Sequence, residues 1–359
     1  MPRRVLSALF VVCSLTLWLT PAGLAQESPR LHTETVEKLE KIPLEIRDRV
    51  AENPDGKSPY ALNEELPVLR QIEVDNGLAP AATPGDTLRV VSWNIERGRA
   101  WEGAAKLIQE HPALKDPDVV FLNEMDAGMV RSGNVHTTRQ FAEALGMNYA
   151  YGIEFVELSM REDERARYSG RGDYDYHGNA ILSKYPLKNA RMLRFPGIEK
   201  WYGSDEHRLG GRMALFAEIA WNGQDLILIA THLESGFGDT KVRLRQVEFI
   251  LEVVQTLPPG RPIVFGGDLN ATPRSAPVQA LRDAGFEVDA CNLIDEPTSQ
   301  RVRDGLVKRG GSHIDYLMGR GLRAVRSEHS PAVVLAAYPN NENGELLSDH
   351  AAVAVELAK

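Results

Sequence analysis

Short apolar runs that each lead into a carboxylate, amide or imidazole recur along this chain. Residues 88–91 lead into Ser92-Trp93-Asn94, and residues 119–122 into Asn123-Glu124. Residues 226–230 lead into Thr231-His232, and residues 263–265 into Gly266-Gly267-Asp268-Leu269-Asn270. Asp315 lies in Ser312-His313-Ile314-Asp315-Tyr316, and Ser348-Asp349-His350 stands directly before the apolar residues 351–355. Such runs have the length of a strand rather than a helix, and several are apolar throughout, which suits strands buried on both faces. A strand that stops on a polar side chain delivers it to the rim of a sheet. Five or six strands of this kind can converge on one patch.

The strand candidates are 88–93, 119–122, 179–182, 213–219, 226–230, 263–265, 314–318 and 351–355. Helix candidates are 103–109, 137–145, 240–257 and 275–284. The third is the clearest: Val242, Leu244, Val247, Ile250, Leu251 and Val254 form an apolar stripe, Asp239 can cap its start, and Pro258-Pro259-Gly260 ends it. Residues 26–86 read as a helical extension followed by a linker. Val36, Leu39, Ile42, Ile46 and Val50 have near-helical spacing interrupted by Pro43, Asn53-Pro54-Asp55-Gly56 is a turn, and 79–85 is rich in Ala and Pro. The main domain is expected over 87–359. Residues 155–177 break the pattern with a dense charge run, which reads either as a solvated surface loop or as a substrate loop beside a site.

Residues 1–25 have the form of a secretory signal. Arg3 and Arg4 precede an uncharged apolar stretch over 5–19, and Gly23 and Ala25 are the small residues a signal peptidase reads, so cleavage is expected after Ala25. The expected location is the periplasm or exterior of a bacterium, with no stable membrane insertion after cleavage. A retained anchor is the alternative, but the stretch is short for a span of roughly 20 residues. The chain has two cysteines, Cys13 and Cys291, so loss of the signal leaves one thiol and no internal disulfide. A buried core must then carry stability. The formal charge of −9 becomes −11 without Arg3 and Arg4, 39 basic against 50 acidic residues. A broad basic face for non-specific nucleic-acid binding is therefore not indicated, although a local cationic groove can coexist with an acidic body. No protein partner is legible.

Acids, Asn and His without Cys make a hard-ligand set suited to Mg²⁺ or Mn²⁺. Glu124, closing an apolar run, is the leading metal ligand, against the ordinary alternative of a surface carboxylate. Asn94 and Asn270 can bind metal or phosphate oxygens without adding negative charge. Asp268 can position or deprotonate a water. His232 and His350 are the imidazoles, and Asp315 is available to hold one of them in a single tautomer. Arg212, Arg243 and Gln246 are secondary, with a structural role favoured for both arginines. No Gly-x-Ser-x-Gly elbow, Walker loop or zinc Cys pair is present, which argues against serine hydrolase, P-loop and structural-zinc chemistry.

In order, Val91-Ser92-Trp93-Asn94, Phe121-Leu122-Asn123-Glu124, His177-Gly178-Asn179-Ala180-Ile181-Leu182-Ser183, Thr231-His232-Leu233, Gly267-Asp268-Leu269-Asn270, His313-Ile314-Asp315-Tyr316 and Ser348-Asp349-His350 resemble the endonuclease/exonuclease/phosphatase superfamily, over about 88–357. The resemblance implies an α+β fold, a four-layer α/β/β/α sandwich of two mixed β-sheets with helices outside (DNase I-like). It implies Glu124 on Mg²⁺ (or Mn²⁺) with Asn94 and Asp349 nearby, and Asp268 handling the nucleophilic water or leaving group. It also implies Asn270 orienting phosphate, His350 (held by Asp315) and His232 stabilising the transition state, and Asn179 and Arg212 on the substrate. One departure is Asn123, where many members have Gln. Thr231-His232-Leu233-Glu234-Ser235 with Arg243 and Gln246 is similar to 5′-tyrosyl-DNA phosphodiesterases. The expected activity is hydrolysis of a phosphoester, foremost as a nuclease-like phosphodiesterase, with nucleic acid, lipid, inositol and sugar phosphates left open as the substrate. A phosphatase, a sphingomyelinase-like phospholipase and a catalytically silent binding protein are the alternatives. The intact set of Glu124, Asp268, Asn270, Asp315 and His350 favours an enzyme.

Overall fold

A computed structural model describes residues 28–197, 199–236, 238–303, 306–308, 311–336 and 346–359. The expected signal segment lies outside the described residues. The chain runs through β1 (Arg30–His32), β2 (Glu34–Val36), α1 (Leu44–Glu52), α2 (Pro59–Glu64), β3 (Gln71–Asp75), β4 (Thr87–Asn94), α3 (Trp101–Glu110) and β5 (Val119–Ala127). It continues through α4 (Thr137–Leu145), β6 (Asn148–Glu157), α5 (Glu162–Arg165), β7 (Tyr176–Ser183), β8 (Lys188–Arg194), α6 (Glu199–Tyr202), β9 (Arg208–Gly210), β10 (Met213–Trp221) and β11 (Gln224–His232). The last stretch holds α7 (Thr240–Thr256), β12 (Ile263–Asp268), α8 (Ala276–Asp283), α9 (Val288–Cys291), β13 (Arg301–Arg303), β14 (Leu306–Lys308), β15 (Asp315–Arg320), β16 (Arg323–Val325), β17 (Ala332–Val334) and β18 (Ala352–Ala358).

Two mixed sheets result. One has the order β1-β8-β10-β11-β12-β15, with β11 and β12 parallel and the other neighbours antiparallel. The other has the order β16-β18-β4-β5-β7-β6-β3-β2, with β17 beside β18 and β9 beside β6, and with β4-β5 and β2-β3 as its parallel pairs.

The unbroken apolar runs explain why the sheets stack. Side chains alternate across a strand, so a run apolar at every position feeds two cores. In β5, Val119 and Phe121 join the core between the sheets, while Val120 and Leu122 join the core with Ala104, Ile108, Phe141 and Ala142 of α3 and α4. In β11, Leu226, Leu228 and Ala230 face the inter-sheet core, while Ile227 and Ile229 pack with Val247, Ile250 and Val254 of α7 and Leu281 of α8. Three apolar interfaces make four layers, the α/β/β/α sandwich expected from the resemblance.

Four expectations about local structure are corrected. Residues 26–86 are not simply a helical extension: α1 and α2 are there, but β1 joins the first sheet beside β8, and β2 and β3 continue the second sheet beyond β6. Near-helical apolar spacing over 36–50 spans a strand end, a non-helical stretch and only then α1. Several strands run on past their apolar residues, so the polar groups lie within β5, β11 and β12 rather than after them. Asp239 does not cap α7 with its side chain; its carboxylate takes Lys200 instead at 3.0 Å. Finally, the charged stretch over 158–175 is pinned by a buried group, Glu164, which pairs with Arg97 and Arg131.

Candidate active site

Register assembles the site before any side chain is considered. Across β11, β12 and β15, His232 lies opposite Asp268 and Asp268 opposite Asp315, so three polar groups form one row at the end of the first sheet. In the second sheet Asn94 lies opposite Asn123. Asn123 joins the two rows: its Oδ1 accepts from the Asp268 backbone N–H at 3.0 Å, and its Nδ2 donates to the Thr231 carbonyl at 3.2 Å and to Asn179 Oδ1 at 2.9 Å. The glycines before Asp268 serve this packing rather than ligand approach. A Cβ on Gly267, whose φ is 131°, would overlap Thr231 O, and one on Gly266 would press on Phe121 and Leu317.

Glu124 sits on a bulge of β5, where register against β7 shifts between Leu122 and Met125 and its own φ is 59°. The bulge turns its carboxylate out of the strand alternation. Asn94 Nδ2 donates to Glu124 Oε1 at 3.3 Å and to Asp268 Oδ2 at 3.2 Å. Its Oδ1 accepts from Glu96 N–H at 3.1 Å, an Asx turn that sets the orientation of the amide. The Asn94 oxygen, expected near a metal, accepts this one backbone bond, and Asn94 braces two carboxylates with its nitrogen.

Asp268 is the centre of the cluster. Its Oδ1 accepts from Asn270 N–H at 2.8 Å, and its Oδ2 lies 3.4 Å from His232 Nε2 and 3.8 Å from His350 Nε2. Burial and then the Asp315 carboxylate push its pKa up to about 7, against the pull of His350. His350 Nδ1 bonds Asp315 at 2.9 and 3.1 Å, while Thr298 Oγ1 donates to Asp315 Oδ2 at 2.6 Å. Burial disfavours the imidazolium, but Asp315 and Asp268 outweigh it and hold His350 charged well above its ordinary range.

His232 is in the opposite state. Burial and the adjacent Arg212 hold it neutral, well below its ordinary value. Arg212 Nη1 donates to His232 Nδ1 at 2.7 Å, which leaves the proton on Nε2, facing Asp268. Arg212 is itself held by Glu154 at 3.0 Å.

The remaining candidates divide by exposure. Glu124, Asn270, Asp349 and His350 reach the surface, whereas Asn94, His232, Asp268 and Asp315 form a buried floor. Asn270 Nδ2 donates to the Leu233 carbonyl at 3.1 Å. Asp349 is held by its backbone N–H to Glu96 at 3.2 Å; burial, with repulsion from Glu124 and Asp315, raises its pKa despite His350. His350 and Asp349 do not diverge as an extended chain would require, because residues 348–350 precede β18, and His350 Nε2 is 4.0 Å from Asp349 Oδ1. Asn179 and Arg212, expected on the substrate, are buried; Asn179 accepts from Asn123, and Arg212 bonds Glu154, His232 and Ser235. Arg243 and Gln246 are structural: they bond the Glu234 carbonyl and N–H at 2.9 Å each.

Sequence reasoning missed Glu154, Glu96 and Thr298, and gave Asn123 too small a part. Only Asn123 carried a signal, its place beside Glu124.

The donor set fits a hard divalent cation. Asp268, Asp315 and His350 bring ligand atoms within 4.8 Å of one another, and the surface side of the site adds two carboxylates: burial and then Glu124 raise the cost of ionising Asp349, while against burial His232, His177 and Arg97 hold Glu124 ionised, well below the usual carboxylate range.

The pattern described as the endonuclease/exonuclease/phosphatase family matches residues 91–350. The chain belongs to that family. Among family relatives, tyrosyl-DNA phosphodiesterase 2 of Danio rerio is 23% identical over 231 residues, 63% of this chain and 52% of that protein. The Xenopus laevis protein of the same name is 36% identical over 184 residues, 50% of this chain and 40% of the relative. The chain thus matches about half the length of these relatives or less. At the level of fold, D. rerio TDP2 complexed with single strand DNA product superposes with a TM-score of 0.52 at 18% identity, covering 77% of this chain and 100% of that one. An endonuclease/exonuclease/phosphatase from Beutenbergia cavernae gives 0.52 at 20% identity, covering 76% and 72%.

Proposed function

We propose that this member of the endonuclease/exonuclease/phosphatase family is a divalent-metal-dependent phosphodiesterase that directs water at phosphorus. The observation that carries this reading is the convergence on Asp268. One carboxylate oxygen is met by Asn94, His232 and His350, and the other is fixed by Asn270 N–H, with Glu124 one amide away.

The roles follow from the contacts. Asp268 takes the proton of the attacking water, its carboxylate immobilised by the Asn270 N–H. His350, locked through Nδ1 by Asp315, presents Nε2–H to the phosphoryl oxygen as negative charge develops there. His232 presents a neutral Nε2–H from the other side. Asn270 lies at the opening, where phosphate would be oriented. Glu124 and Asp349 are the proposed holders of Mg²⁺ or Mn²⁺, with Asn94 positioning Glu124 through its amide nitrogen. The bound cation would neutralise phosphoryl and leaving-group charge.

The substrate we favour is a nucleic-acid phosphodiester, supported by the similarity to tyrosyl-DNA phosphodiesterase 2. The acidic total charge favours a short or single-stranded substrate over a long duplex footprint. Export to the periplasm or exterior is proposed on the strength of residues 1–25, and fractionation of expressing cells tests it. Hydrolysis of bis-p-nitrophenyl phosphate and of a short single-stranded oligonucleotide, with Mg²⁺ and then with chelator, tests the activity. Turnover is expected only with the cation; no turnover on either substrate with Mg²⁺ or Mn²⁺ overturns the proposal.

A further inference from the structure

On the reading of this site as a phosphodiesterase acting on nucleic acid, we propose that the half-buried indole of Trp201 is a substrate-contacting platform, on which an unpaired nucleobase beside the scissile phosphate stacks. Glu199-Lys200-Trp201-Tyr202 forms the single turn of α6, between β8 and β9. Both neighbours of Trp201 are tied down. Lys200 Nζ donates to Glu234 Oε1 at 2.9 Å and to Asp239 Oδ2 at 3.0 Å, and Tyr202 OH donates to the Val50 carbonyl at 2.8 Å. Glu234 lies two residues past His232, so the lysine fixes α6 beside the chain as it leaves the floor of the site.

The ring of Trp201 is set against that floor. Arg212 Cζ lies 5.2 Å from its centroid, while Arg212 Nη1 bonds His232 Nδ1 at 2.7 Å and Nη2 donates to Ser235 Oγ at 3.3 Å. One guanidinium thus separates the indole from the imidazole that faces Asp268. Arg208 Cζ lies 5.4 Å from the same ring, and Phe155 meets it with centroids 5.0 Å apart. Arg208, Arg212 and Phe155 are buried, and Trp93 and Trp221 are enclosed in the cores, but Trp201 keeps part of its surface open. Two guanidiniums attracted to its π-system and an aromatic neighbour hold the ring still, so a flat ligand that covers the open part orders little that is not already ordered.

The chemistry around the ring selects a base rather than a phosphate. Arg212 is matched by Glu154 at 3.0 Å, Arg208 by Glu157 at 3.0 Å and Lys200 by Glu234 at 2.9 Å, so each cation already has its counter-charge. What this rim offers is an indole. Every base has a π-face, so stacking there recognises an unpaired nucleotide without reading its sequence. It also suits a chain of net charge −9, in which a broad cationic face is not what holds the strand.

The test measures binding, by calorimetry and by tryptophan emission, to the full chain carrying Asp268→Asn with Mg²⁺ present. A short oligothymidylate is compared with an abasic strand of equal length. The oligothymidylate is expected to bind about 10-fold more tightly and to quench the emission, whereas the abasic strand should leave it unquenched. Adding Trp201→Ala should weaken oligothymidylate binding about 10-fold with little effect on the abasic strand, and Trp201→Phe, which keeps a smaller ring, should lie between. Equal affinity for the two strands before either substitution overturns the platform, as does no binding of oligothymidylate at all. Loss of affinity for both strands alike in Trp201→Ala marks a purely structural ring and overturns it too, as does oligothymidylate binding at full strength in that variant. Hydrolysis of bis-p-nitrophenyl phosphate by the parent decides the phosphodiesterase reading separately.

Discussion

Arg212 Nη1 donates to Nδ1 of His232 at 2.7 Å, and this one bond decides which nitrogen of the imidazole faces Asp268. Guanidinium cannot accept a hydrogen bond, so Nδ1 must carry the lone pair and Nε2 the proton. Arg212→Lys keeps the charge but breaks the shared grip on His232 and Glu154. We expect kcat to fall by roughly 10²-fold with little change in KM. Steady-state kinetics checks the rate, and ¹⁵N NMR of the histidines checks the tautomer. Normal kcat with an unchanged His232 spectrum would remove Arg212 from this role.

Asp268 and His350 act on the reacting atoms in the proposed mechanism. Asp268→Asn and His350→Ala are each predicted to lower kcat by about 10²- to 10⁴-fold, with a circular-dichroism spectrum like that of the parent. A folded variant with near-parental turnover would contradict the assignment.

Glu124 stands on a bulge that turns it to the open side of the site, where Asn94 braces it. Glu124→Gln removes the negative charge while keeping the shape. The Mg²⁺ concentration for half-maximal rate should rise by at least roughly 10-fold. An unchanged Mg²⁺ titration would take Glu124 off the ligand set.

Far from the site, Glu73 ties the N-terminal segment to the second sheet. Its buried carboxylate accepts from Leu39 N–H at 2.7 Å and Tyr149 OH at 2.5 Å, and it meets His136 at 3.3 Å and Arg139 at 3.2 Å. Burial alone would raise its pKa, but these partners, His136 foremost, lower it from 4.5 to about 2. A depressed carboxylate stabilises the fold fully above about 4.5, and that contribution drains away as pH falls through the window down to about 2. It amounts to roughly 3 kcal/mol. Urea unfolding of the parent and of Glu73→Gln across this range checks it. The gap in stability should close toward the acid end; a gap independent of pH would refute the linkage.

Much of this protein was decided by composition at the scale of single strands. Residues 119–122 and 226–230 are apolar at every position, which demands burial on both faces; that the demand is met by a two-sheet sandwich with outer helices was implied by the family resemblance and not by the runs themselves. The polar groups closing those two runs marked Glu124 and His232, the run over 263–265 marked Asp268, and Asp315 stood out within His313-Ile314-Asp315-Tyr316. What the sequence could not decide were relations between distant segments. Residues 36–50 carry helical spacing, yet Val36 ends a strand, because an open sheet edge beside β3 offered backbone partners that local periodicity does not encode. Asn94 was legible as a polar group near a metal, but its amide orientation depends on Glu96 N–H. Asn179 and Arg212 were legible as polar groups among apolar neighbours, but only packing shows that they face Asn123 and His232. Side-chain period and residue chemistry act along the chain, and they set two-sided burial and candidate groups. Hydrogen-bond direction, register between strands and the state of each proton are set across space, and only the folded molecule brings those partners together.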